Sequence, residues 1–209
     1  WVTISVAIIS TIVATIIGTA AAVGIQGMNS KLRAAFMAVN NIPMVNPEIV
    51  TGISMMLLFT FIYQSTGLLQ RGYVTLLISH ITFCIPYVVL QVMPKLRQMN
   101  RHMFEAALDL GCRPLTAFFK VMLPEIMPGV TTGALMAFTM SLDDFVISLF
   151  NSGAEAQNLS VTIYSMVKRR VTPEINALST LIFGTVLVLL ILVNVLQIRD
   201  KSRTQHTRR

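Results

Sequence analysis

An all-α membrane protein, a bundle of helices crossing a bilayer, is the fold class this sequence predicts, on three observations. Only 12% of the 209 residues are charged and the mean hydropathy is +0.70, about half the charge share of a soluble domain. The apolar residues gather into five runs of about 20 residues, each long enough to cross ~30 Å of hydrocarbon as a helix. All sixteen Lys and Arg lie outside those runs, so the net charge of +7 reads as a topology signal and not as a nucleic-acid footprint.

The runs are Val2–Gly24, Val45–Tyr63, Tyr73–Val92, Ile126–Phe150 and Ile175–Ile198. Counting Lys and Arg in alternate connections puts 12 on the side that carries residues 95–120 and the C-terminal tail, and 4 on the other. The positive-inside rule then predicts that the 93–125 connection and the C-terminus face the cytoplasm. Trp1 falls outside, already within an apolar run. The natural beginning is therefore expected to be missing, and the start is not read as a signal peptide.

In the first run, Ser10, Ala14, Gly18 and Ala22 repeat every fourth residue, a small-residue stripe that lets a second helix approach closely. Residues 25–44 read as a polar loop at the cytoplasmic surface. Asn46, Pro47 and Glu48 then read as N-cap, first-turn proline and dipole-facing acid of the second span. The third span carries Ser79, His80, Thr82, Pro86 and Gln91, polar groups that need partners inside the bundle. His80 is expected to be a hydrogen-bonded packing residue. The three histidines lack ligand-like spacing, and Cys84 and Cys112 indicate neither a disulfide nor a metal cluster. No metal site is expected.

Between the third and fourth spans, residues 100–125 predict two short helices around a tight turn. Asn100 caps the first, Gly111 ends it in the left-handed conformation, and Pro114 opens the second. The fourth span then carries small residues at Gly129, Gly133, Ala137 and Ser141, followed by Asp143 and Asp144. If this span runs unbroken to Phe150, Asp144 lies about 9 Å from its centre at Phe138. A carboxylate near a helix centre costs roughly 2.5–3.5 kcal/mol on insertion scales, so the pair calls for a use. Adjacent residues point about 100° apart: Ser141, Asp144 and Ser148 share one face, Asp143 another. No Lys or Arg lies within the spans to neutralise them, which favours attraction of a passing cation. A capping role, with the span ending earlier, is the alternative. In the outer segment, Leu159, Ile163 and Val167 suggest an amphipathic helix at the membrane surface, ending in the basic Lys168-Arg169-Arg170.

Two of these stretches carry a family resemblance. Glu105-Ala106-Ala107, Gly111, Val121 and Leu123-Pro124, at their spacing between two spans, resemble the coupling loop of type I ABC importer permeases. SLDDFVIS, MVNPEIV, SHITFCIPYVV and LSVTIYSMVKRRVTPEINALSTL resemble the C-type permease subunit of spermidine/putrescine importers. The resemblance implies a type I ABC importer transmembrane-domain helical bundle over residues 1–209, with residues 100–125 as the cytoplasmic loop that seats on an ATPase. It implies polyamine handling at Ser141, Asp143 and Asp144. It further implies a second homologous permease, two ATP-binding subunits that hold the ATP and Mg, a periplasmic or extracellular solute-binding protein, and a location in the bacterial inner membrane. The chain has no phosphate-binding loop of the G-x-x-x-x-G-K-[ST] kind, so no catalysis and no cofactor of its own are expected. Another organic cation or small solute is the first alternative. An intramembrane aspartyl protease is a distant one, since both acids sit side by side in one span.

Overall fold

The computed structural model describes residues 1–153, 156, 158–169 and the isolated positions 177, 180, 181, 183, 184 and 187. The chain divides into two compact units, Trp1–Val161 and Thr162–Arg209. In chain order the helices are α1 (Val2–Gly27), α2 (Ser30–Val45), α3 (Glu48–Thr66), α4 (Tyr73–Gln98), α5 (Arg101–Asp109), α6 (Pro114–Ala117), a π-helical turn (Phe118–Met122), α7 (Leu123–Asp143), α8 (Val146–Asn151) and α9 (Leu159–Arg169). No β-strand occurs among the described residues. Four stretches are long and apolar enough to cross a membrane: α1, α3, α4 and the run from Pro114 to Asp143. They match the first four expected spans, and the fifth, Ile175–Ile198, lies outside the described residues but for isolated positions.

The first unit is built around α4, which packs against both α1 and α7, while α1 and α7 also meet each other. Its core combines Phe83, Cys84, Val88, Val89, Val92, Met93 and Leu96 of α4 with Ala14, Ala22 and Ile25 of α1, Ile126 and Ala137 of α7, and Ile147 of α8. Without water in the hydrocarbon to drive apolar burial, helices associate through close packing and polar contacts. Both small-residue stripes supply that closeness. Ser10, Ala14, Gly18 and Ala22 are all buried on α1, as are Gly129, Gly133, Ala137 and Ser141 on α7. Val88 is the point where the three backbones converge. A Cβ on Gly18 would stand 2.8 Å from Val88 Cβ, and one on Gly133 would stand 3.3 Å from Val88 Cα.

Two expectations for the region after α1 are corrected. Residues 30–45 form a helix, not a loop, because Leu32, Phe36, Val39 and Ile42 repeat at helical spacing among the polar residues. All four are exposed. Arg33 ties this helix back to the end of α1, donating to the carbonyls of Gln26 (2.7 Å) and Met28 (3.0 Å), which α1's termination leaves open. Asn46 is not the cap of α3. It closes α2, its N–H donating to the Ile42 carbonyl at 3.0 Å, and Pro47 takes the N-cap position with Glu48 in the first turn of α3. The third span also outruns its expected end at Val92, continuing through Pro94 to Gln98.

Between α4 and α7 the expected helix–turn–helix is present. The Asn100 side chain accepts from the His102 N–H (3.1 Å). Gly111 adopts φ +82°. Gly111 N–H donates to Leu108 O (2.9 Å) and Cys112 N–H to Ala107 O (3.1 Å), the paired bonds of a Schellman turn. Pro114 opens α6. The π-helical turn then feeds α7, with Leu123 N–H bonded to Phe118 O.

The Val88 contact makes a prediction of opposite signs. Gly18→Ala should destabilise by about 1–3 kcal/mol through overpacking. Gly24→Ala, where an added Cβ meets nothing within 4 Å, should be neutral or stabilising by up to about 1 kcal/mol. Thermal-unfolding midpoints of the detergent-solubilised variants check both.

Candidate functional site

The fourth span does not run to Phe150 as one helix. It ends at Asp143, passes through Asp144 in extended conformation (φ −60°, ψ 125°), and restarts as α8 at Val146. A break of this kind, at the end of a candidate span and buried in the bundle, leaves backbone N–H groups that must find acceptors within the protein. Asp144 provides them. One carboxylate oxygen, Oδ1, accepts from Ile147 N–H (3.2 Å), and Oδ2 accepts from Ser148 N–H (2.8 Å) and the Ser148 hydroxyl (2.7 Å). Ser141, Asp144 and Ser148 are thus brought together as expected, through a cap and not through the face of a continuous helix.

The cap is embedded in a buried polar cluster that ties α1, α4, α7 and α8. His80 of α4 places Nδ1 2.7 Å from Ser141 Oγ and Nε2 3.0 Å from Ser148 Oγ, and Nε2 lies 3.5 Å from Asp144 Oδ2. Ser141 also meets Ser10 of α1 at 3.0 Å. Asn158 donates its amide to Asp144 O (3.1 Å) and Ser148 Oγ (2.6 Å), while its Oδ1 accepts from Val161 N–H (2.9 Å). Farther along, the Asn151 amide holds α8 to α3 by donating to Gly52 O (3.2 Å), and Thr75 of α4 donates to Asn151 O (2.9 Å). The His80 and Asp144 side chains are each 2% exposed. His80 is indeed a hydrogen-bonded packing residue, and its partners could not be named from spacing.

Asp143 stands apart from this cluster. It is exposed and has no hydrogen-bond or ion-pair partner among the described residues. It ends an exposed line on α7 that includes Glu125, Thr132 and Thr139, on a different face from the buried stripe of Gly129 to Ser141. No group of three or more His, Cys, Asp or Glu could hold a metal among the described residues.

At the other end of α7 the residues expected to form a coupling loop lie in a projection from the bundle. Glu105, Ala106, Gly111 and Pro124 are exposed, while Ala107, Val121 and Leu123 are partly buried. Large apolar side chains stand out beside them: Met103, Leu110, Leu115 and Phe119. His102 and Glu105 approach to 3.4 Å at this surface.

Residues 14–199 match the family described as the inner membrane component of binding-protein-dependent transport systems. The chain belongs to that family. Membership makes it an all-helical type I ABC transmembrane domain and an inner-membrane component. Among its relatives, the putrescine transport system permease protein PotI of Escherichia coli K12 is 46% identical over 145 residues, 69% of this chain and 52% of the relative. The spermidine/putrescine transport system permease protein PotC of the same strain is 38% identical over 200 residues, 96% of this chain and 74% of the relative. The PotC homolog of Mycoplasma genitalium is 30% identical over 192 residues, 92% of this chain and 65% of the relative. The chain thus spans about half the length of the PotI relative and about three quarters of PotC. The protease alternative finds no support: these relatives are named as transport permeases, and Asp144 is committed to its cap.

The cap separates the two acids in a stability measurement. Asp144→Ala, which strands buried donors, should lower stability by at least about 2 kcal/mol. Asp143→Ala should change it by no more than about 0.5 kcal/mol. Thermal midpoints of the two purified variants provide the comparison.

Proposed function

We propose that this protein is the membrane-spanning permease subunit of an ATP-driven importer that moves polyamines such as spermidine and putrescine, and that the solute passes the α7–α8 break at Ser141, Asp143 and Asp144. The observation that carries this reading is the exposed line of Glu125, Thr132, Thr139 and Asp143 on a helix long enough to span the bilayer. Glu125 and Asp143 stand near the two ends of α7, about 27 Å apart at 1.5 Å per residue, and the exposed Thr132 and Thr139 between them give the line the polarity a passage needs. A polyamine alternates ammonium groups with methylenes. Carboxylate and hydroxyls set among Leu135 and Met136 match both features. The names of the PotI and PotC relatives support the same solute class.

The excess of Lys and Arg in these connections supports a cytoplasmic position for the α5–α6 projection and the C-terminus. There Glu105, Ala106, Ala107, Gly111, Val121, Leu123 and Pro124 would seat the projection on an ATP-binding subunit, its apolar Met103, Leu110, Leu115 and Phe119 being covered on assembly. Hydrolysis, with its ATP and Mg, then belongs to two such subunits. A second permease completes the passage, and a solute-binding protein delivers the cargo on the far side. The runner-up is the same machine moving another organic cation, which retains the role of Asp143.

Reconstitution of the assembled importer in proteoliposomes tests the proposal. Labelled spermidine or putrescine should accumulate only with ATP, and Asp143→Asn should lower the rate about fivefold or more, since one carboxylate–ammonium contact at ~4 Å is worth about 1 kcal/mol even in water. Accumulation of a different amine with no competition from polyamines would favour the runner-up; wild-type uptake by Asp143→Asn would sink the passage assignment. Gly111→Ala forces a side chain into φ +82° at a cost of about 1–2 kcal/mol. It should leave basal ATP hydrolysis intact and reduce uptake per ATP consumed, read as the ratio of the two rates in the same vesicles.

A further inference from the structure

The polar cluster at the break contains one ring that touches both helix ends. Resting on the reading that the solute passes this break, we infer that His80 is a positioning residue: by stapling the end of α7 to the start of α8 it fixes Asp144 as a cap and leaves Asp143 as the carboxylate presented to the cation.

The proton count at Ser148 sets the roles. Its hydroxyl has one proton, and at 2.7 Å from Asp144 Oδ2 that proton goes to the carboxylate, which only accepts. Its lone pairs then receive the Asn158 amide at 2.6 Å and His80 Nε2 at 3.0 Å. His80 must therefore donate from Nε2. Its other nitrogen meets Ser141, one turn before the break, at 2.7 Å. One imidazole thus spans the interruption, contacting α7 through Nδ1 and α8 through Nε2. Asp144 receives three donors within its own cap and has the ring nearby, so its charge is already answered. Asp143, the adjacent residue, receives none among the described residues.

The test uses the full importer reconstituted with its partner subunits, with labelled spermidine as the probe. Glutamine puts an amide nitrogen near the place of Nε2, and asparagine puts one near Nδ1. His80→Gln keeps the donor to Ser148 and should retain uptake within about threefold. His80→Asn should lose about tenfold, the scale of a hydrogen bond within a buried charged group. A second readout follows Asp143→Cys, in a background with Cys84 and Cys112 replaced. Its thiol should react with a cationic reagent and be protected by spermidine. Adding His80→Asn should raise the spermidine concentration for half-protection about tenfold, while co-purification with the partners persists. Equal uptake by the two His80 variants, or protection unmoved by His80→Asn, overturns the positioning role and leaves the passage reading in place. A thiol at 143 that spermidine never protects, together with wild-type uptake by Asp143→Asn, removes the passage reading and the inference with it. If His80→Asn does not assemble, His80→Ala, which removes both ring nitrogens, combined with Ser148→Ala decides. Losses smaller than the sum of the single variants support the staple, and additive losses overturn it.

Discussion

Hydrocarbon offers a backbone no hydrogen bonds, and the interruption at Asp144 is organised by that constraint. A helix that stops inside a membrane leaves carbonyls at one end and N–H groups at the other, each costly if unmatched. Here the N–H groups of α8 are taken by the Asp144 carboxylate, and the Asp144 carbonyl is taken by Asn158. The serine hydroxyls and the histidine ring bond to one another around that carboxylate. The backbone cap itself is local, from Asp144 to Ser148, while Ser10, His80 and Asn158 reach the break from α1, α4 and the segment before α9. The cluster is satisfied as a unit, the condition under which buried polar networks rigidify a fold.

The two adjacent acids illustrate how burial divides chemistry that sequence presents as a pair. Asp144 is enclosed and saturated with donors. Asp143 occupies the helix surface one step earlier and meets none among the described residues. A cation approaching this region encounters one carboxylate whose field is already spent on its own backbone and a neighbour whose field is available.

Much of the bundle was legible because the relevant signals are local. A four-residue repeat of small side chains dictates a close-packed face wherever it occurs, and both stripes are buried as read. Asn100, Gly111 and Pro114 each act on their own turn, so their caps could be placed without tertiary knowledge. The break was legible only as an alternative. A span ending early at a capping acid was one of two readings of the Asp143–Asp144 pair, and a carboxylate that caps reads the same as one that faces a path. Spacing identified Ser141, Asp144 and Ser148 as neighbours for the wrong geometric reason. His80, 61 residues before Ser141, and Asn158, 14 residues after Asp144, enter only through folding. Residues 30–45 went astray for a simpler cause: charges at Lys31 and Arg33 and the paired Asn40 and Asn41 obscured a helical stripe of Leu32, Phe36, Val39 and Ile42.

The meeting of Gly18 and Gly133 on Val88 bears on how movement travels. Side chains between helices act as cushions, since rotamers can change while backbones slide. Where two glycines close on a single branched residue, that slack is small, and α1, α4 and α7 are held tightly together at this level. If the α5–α6 projection carries a partner's stroke, as proposed, a push at the foot of α7 would meet this contact before it reached the aspartates.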